Sequence, residues 1–133
     1  MRLERGSLSV EAVLLTPILA TLLLMVVYGS RLLSAQHTVQ LAANHGARQA
    51  SMVRFSRMDE TGNRAARDYL STRRSGCTES RINVAVDRES DRPSVLVEVE
   101  CTVETTGLSL LGVMPKIVRA SSLEVIDVWR ANE

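Results

Sequence analysis

Three hydrophobic rhythms follow one another along the chain. From Leu8 onward the apolar positions are nearly continuous, and between Glu11 and Arg31 lie 19 consecutive residues without a formal charge, most of them Leu, Val, Ala, Ile or Met. The rhythm then changes. Leu32, Ala35, Val39, Ala42, Gly46, Ala50 and Val53 recur at steps of three and four, the spacing of one face of a helix. This predicts a continuous helix from about Ser9 to Arg57, apolar all round in its first half and striped with small residues in its second. Asp59-Glu60-Thr61-Gly62-Asn63 predicts a break, Arg64–Thr72 a second helical turn or two, and Ser75-Gly76 a loop.

Beyond Gly76 the period drops to two. Ile82, Val84 and Val86 alternate with Asn83, Ala85 and Asp87, which predicts a strand over Arg81–Asp87. After a charged turn, Val95, Val97, Val99, Cys101 and Val103 alternate with Leu96, Glu98, Glu100 and Thr102. This predicts a half-buried strand over Ser94–Val103 with Cys101 on its apolar face. Gly107–Pro115 reads as an apolar loop or short helix, and Ile117–Val128 as a final strand or bent pair. Leu108–Met114 reads as loop residues under the sheet or as an exposed contact patch or second membrane touch. The fold class is α+β: one long N-terminal helix laid on a small antiparallel sheet.

The uncharged segment decides the chain's environment. As a helix, Ala12–Ser30 would be roughly 28 Å long at ~1.5 Å per residue, close to the ~30 Å hydrocarbon thickness of a bilayer. A secretory signal would have a shorter apolar stretch, about 7–15 residues, followed by a small-residue cleavage site. Here bulky Leu32 and Leu33 flank Ser34-Ala35. A spanning helix is the best reading, and the lipid bilayer is its first partner. Arg2 and Arg5 favour a cytoplasmic N-terminus and hence an extracytoplasmic C-terminal domain. The expected organisation is a leader over 1–6, a transmembrane and assembly helix over 7–30, and an extracytoplasmic α+β domain over 31–133.

Composition narrows the function. The 133 residues amount to about one domain. Charge is unevenly spread. Residues 1–30 are neutral, residues 31–81 carry nine Arg against four acids, and residues 82–133 carry five basic residues against nine acids, for a total of +1. Such a dipolar chain is not a basic nucleic-acid binder, and one Trp, one Phe and two Tyr are too few for a base-stacking platform. The opposite charges read as solvated faces or as complementarity between copies or partners. Cys77 and Cys101, the only two cysteines, permit one disulfide outside the membrane, the other reading being two buried thiols. Standing 24 positions apart with no neighbouring His, they do not form a metal site.

The entry to the apolar segment is distinctive. Gly6 is followed by Ser7-Leu8-Ser9-Val10 and then Glu11, a carboxylate where the apolar run has already begun. Carried to a bilayer centre, such a charge costs on the order of 2.5–3.5 kcal/mol, so it either stays hydrated at headgroup depth or finds a partner. With Gly6 included, the pattern resembles the processing site of type IV prepilins. Over about the first 50 residues the chain resembles the TadE family of minor pseudopilins of tight-adherence (Flp-type) pilus systems. The matching elements are Gly-x-x-x-Val-Glu at Gly6–Glu11, Thr16-Pro17 in the first half of the span, Tyr28-Gly29-Ser30-Arg31-Leu32 at its exit, and Ala-Ala-x-x-Gly-Ala-Arg at Ala42–Arg48. Where the family commonly has an aromatic residue after the Glu, this chain has Ala12.

The resemblance implies a pilin-like fold, cleavage between Gly6 and Ser7 by a prepilin peptidase, and assembly with other pilin or pseudopilin subunits and the pilus secretion machinery. It makes Glu11 the fifth mature residue, positioned to neutralise the new ammonium at Ser7 of an adjacent subunit in an apolar filament core. Pro17 removes one helical hydrogen bond and can kink the span, or is one of the prolines that membrane helices tolerate. Enzyme chemistry has little to stand on. His37 and His45 are eight positions apart on one helical stretch, Glu98 and Glu100 read as the wet side of a strand, and there is no nucleophile elbow, phosphate loop, zinc spacing or cofactor motif. The competing reading is an uncleaved, membrane-anchored extracytoplasmic adaptor or a secreted effector module.

Overall fold

A computed structural model describes residues 5–73, 76–104 and 112–131, with side chains from Val10 onward except that of Arg130. In chain order the elements are α1 (Arg5–Ser51), a single 3-10 turn over Phe55–Arg57, α2 (Met58–Thr72), β1 (Cys77–Asp87), β2 (Ser94–Val103), β3 (Lys116–Val125) and α3 (Val128–Ala131). The three strands form one antiparallel sheet in the order β1-β2-β3. The α+β class expected from the periodicities is the one observed. The chain divides between Leu32 and Leu33 into two units.

In the C-terminal unit, β2 is the central strand and supplies the floor of the core. Val95, Val97, Val99 and Cys101 are fully buried, and the register places Val84, Val97 and Ser122 side by side across the sheet. Burying a Val completely contributes about 1.5–3 kcal/mol, so this row is the main apolar gain of the strand. Opposite it lie Ala35, Val39, Ala42, Ala43, Ala47 and Ala50 of α1, with Met58, Ala66 and Leu70 of α2. A core built so largely of alanine fills its volume by bringing backbones close together.

Glycine makes that approach feasible at two points. A Cβ added at Gly46 would sit 3.0 Å from the Gly62 carbonyl oxygen, 3.1 Å from Ala66 Cβ and 3.2 Å from Val97 Cγ1. One added at Gly62 would lie 3.2 Å from Ala50 Cβ and 3.3 Å from Val84 Cγ2. The two helices and the sheet therefore meet where neither helix carries a side chain.

This contact explains the largest departure from the sequence reading. The expected break at Asp59–Asn63 does not occur, and those residues form the first turns of α2. Asp59 and Glu60 sit in its first turn, where negative charge interacts favourably with the helix dipole, and Glu60 pairs with Arg64 one turn on. Gly62, locally a helix breaker, is retained because tertiary contact needs the space it leaves. The break falls earlier, and α1 stops at Ser51 rather than Arg57. Its last turn tightens through bonds from the Met52 and Val53 amides to the Gln49 and Ala50 carbonyls, while the Ser51 hydroxyl donates to the Arg48 carbonyl. Arg88 stabilises the turn from across the fold, donating to the Phe55 carbonyl at 3.2 Å with its guanidinium 5.0 Å from the Phe55 ring centre.

The other boundaries shift less. α1 begins at Arg5 instead of Ser9, β1 at Cys77 instead of Arg81, and β2 matches its expected limits. The expected strand over Ile117–Val128 ends at Val125, and Val128–Ala131 is a short helix. A backbone bond from Ile126 N to the Pro93 carbonyl closes that corner over the buried Ile126 side chain. Much of the segment expected over Gly107–Pro115 lies outside the described residues, and 113–115 carries no regular element.

Cys77 and Cys101 form a disulfide with their Cα atoms 5.5 Å apart, tying the start of β1 to the inner face of β2 next to an irregularity in register between Cys77 and Glu79. A loop of this size restricts the unfolded chain by roughly 3 kcal/mol on the chain-entropy account. Reduction by dithiothreitol is expected to lower the denaturation midpoint of the C-terminal unit, as read by circular dichroism in mild detergent. Replacing Gly46 with Val is expected to destabilise by about 1–3 kcal/mol through overpacking. In the same measurement Gly29→Ala, whose added methyl meets nothing within 4 Å, should leave the midpoint unchanged or slightly raised.

Candidate functional site: an exposed apolar helix with an acidic entry

The N-terminal unit is the first part of α1. Residues 10–27 are all exposed on every side of the helix, with Val13 at 70%, Leu23 at 66% and Met25 at 71% of full exposure. An 18-residue window within this helix has a mean hydropathy of 2.4 and none of it is buried, so the segment is long and apolar enough to cross a membrane. A helix hydrophobic all round must lie in lipid or against other apolar surfaces, since water would have to cover its whole circumference.

Its polar atoms are arranged accordingly. The Thr16 hydroxyl donates to the Ala12 carbonyl at 2.6 Å, Thr21 to Ile18 at 2.8 Å, and Ser30 to Val27 at 2.9 Å. Each hydroxyl is satisfied within its own helix, as an apolar medium requires. Pro17 stands inside the helix and lacks an amide hydrogen, so the Val13 carbonyl loses its usual i+4 donor. Tyr28 is half-buried and Arg31 exposed at the far end, giving the segment an aromatic and a cationic boundary.

Glu11 is the one charged side chain between Val10 and Ser30, and it is exposed. The backbone is helical from Arg5, so Gly6 and Ser7 fall in the first turn and Ser7 precedes Glu11 by four positions, one turn along the same face. Gly6, Ser7, Glu11 and Pro17 therefore lie along a single helix. The Cys77–Cys101 disulfide belongs to the other unit and stabilises that unit's sheet.

The remaining candidates do not form a reactive constellation. His37 is exposed, and His45 packs its ring 5.7 Å from that of Tyr69 on α2. Glu98 is exposed, whereas Glu100 accepts from Arg119 Nε at 2.8 Å on the outer face of the sheet. Those residues, with Arg81, Asn83 and Ser121, line a shallow groove there. Among the described residues no group of His, Cys, Asp or Glu could hold a metal ion.

The sequence reading did not single out Gln36 and Gln40. Their amides donate to the Arg119 and Ser121 carbonyls, both at 3.1 Å, and so cover the free edge of β3. Two glutamines one helical turn apart beside an alanine stripe were the available signal, though nothing local named their partner. Comparison with known proteins yields no match among curated proteins and none among solved structures. One family model does match, and it falls on the segment just described. Over residues 6–48, from the glycine before the acidic entry to the arginine near the end of α1, this chain matches the family described as TadE-like protein, and about a third of its length thus carries that family's pattern.

Proposed function

We propose that this chain is a non-enzymatic minor pseudopilin of a tight-adherence pilus system. It is inserted with its N-terminus in the cytoplasm, cleaved between Gly6 and Ser7, and assembled with other pilin-like subunits through its apolar helix. The observation that supports this most is the coincidence of the TadE-like match with a helix that exposes apolar side chains on all sides yet carries one carboxylate at its entry. Cleavage by a prepilin peptidase hydrolyses the Gly6–Ser7 amide and leaves an ammonium on Ser7. That bond lies in the first helical turn, whose amide hydrogens have no intrahelical acceptors, so unwinding it into a protease groove costs little. Gly6 adds the backbone freedom that an extended bound conformation needs.

After cleavage the apolar helix carries one positive and one negative charge four positions apart. Buried in a bundle of like helices, each needs a partner, and a neighbour's Glu11 can meet the Ser7 ammonium. Mass spectrometry of membrane-extracted protein from cells with an active prepilin peptidase is expected to show a chain beginning at Ser7. A chain retaining Met1–Gly6 in functional cells would support the uncleaved adaptor instead. Glu11→Ala is expected to abolish incorporation into filaments while leaving cleavage and protein level near wild type, checked by immunoblotting of sheared pili and membranes. Normal pilus formation by that variant would remove the assembly role of the carboxylate.

A further inference from the structure

The two edges of the sheet are treated differently. On β3 the outward carbonyls of Arg119 and Ser121 are covered by Gln36 and Gln40. On β1 the one bond to the edge among the described residues is from Asn63 Nδ2 to the Ile82 carbonyl, at 3.5 Å the long limit of a hydrogen bond. These contacts agree in phase. A central antiparallel strand directs its backbone groups to its two neighbours in alternation. With Ile82, Val99 and Ala120 in register, the outward groups belong to Ser80, Ile82, Val84 and Val86 on β1 and to Arg119 and Ser121 on β3. An edge that the other described residues leave open over this length is a template for another strand.

We propose that the β1 edge from Ser80 to Val86 receives an antiparallel strand of another chain, with an acidic residue opposite Arg81, a basic residue opposite Asp87, and apolar residues opposite Ile82, Val84 and Val86. The charges follow from the exposed face. Arg81 is exposed and has no hydrogen-bond or ion-pair partner among the described residues. Asp87 is held in place by amides of the next turn, its Oδ1 accepting from Glu89 N at 3.1 Å and Ser90 N at 3.3 Å, and its other oxygen accepts from nothing among the described residues. Between them, Asn83 and Ala85 carry no charge. On the opposite face Ile82, Val84 and Val86 are only half-buried, while the β2 residues beside them are fully buried. A fourth strand with the same alternation would complete that row.

β1 itself has this pattern. Paired antiparallel with a copy of itself about Val84, it sets Arg81 opposite Asp87 and Ile82 opposite Val86 in both halves. The occupant proposed is a strand of a different chain with this charge pattern, and a second copy is the alternative that the titration separates from it. The self-complementary sequence supplies the probe.

A fluorescently labelled peptide of residues 80–88 is titrated against the full chain in detergent micelles and read by anisotropy. Saturable binding is expected, weakened about tenfold by Arg81→Asp in the protein, because an attraction becomes a repulsion at one cross-strand position. A peptide carrying Asp87→Arg should restore binding to that variant, which also shows that the variant is folded. Absence of binding, or equal binding of the original peptide to the Arg81→Asp protein, would overturn the proposal. So would self-association of the full chain that Arg81→Asp abolishes, since the edge would then belong to a second copy.

Discussion

How closely α2 can approach α1 controls the architecture of the C-terminal unit. With alanines supplying most of the helix layer, there is little side-chain bulk to bridge a wide gap, and the backbones themselves must come near. Gly46 and Gly62 allow this by opposing a bare helix position to a carbonyl oxygen, with Val97 just below. From that contact follow the full burial of the β2 valines, the seating of Met58 and Leu70, and the position of the tight turn that α1 must make before α2 begins. The local sequence of α2, acidic and glycine-containing at its start, becomes helical because this packing favours it.

The same contact marks the boundary of what the sequence discloses. Periodicities of two and of three to four are local properties, and they locate β2 to the residue and most of α1. The lipid-length apolar segment is legible for the same reason, since an uninterrupted uncharged run needs no tertiary context to be recognised. Asp59–Asn63 reads as a break yet folds as helix, because turn-forming side chains and a helix-breaking glycine carry that meaning only when nothing is packed against them. The early start of β1 follows from its pairing with Val103 and the bond to Cys101, both set by a strand more than twenty residues on. Of the positions to which the proposed function assigns a role, Gly6, Glu11 and Pro17 are visible in the sequence because their significance is positional along one helix. Gln36, Gln40 and Arg88 gain theirs only once β3 and the turn at Phe55 are in place.

The two units follow opposite physical rules. In one, apolar side chains face outward around the whole circumference, and hydroxyls turn inward to their own backbone. In the other, apolar side chains converge on a shared interior, and charges occupy the outer face of the sheet. A single helix, α1, participates in both regimes, and its composition changes accordingly from branched and bulky to small at the point where the units divide.

The two glutamine amides on the rim of β3 also have a genetic consequence. They lie one helical turn apart and address carbonyls two strand residues apart, so helix and strand advance in step by similar distances along that rim. An in-frame deletion or insertion of one codon in the neighbouring part of α1 would rotate at least one amide by about 100° away from its acceptor. The segment around Gln36–Gln40 should therefore accept changes of residue far more readily than changes of length.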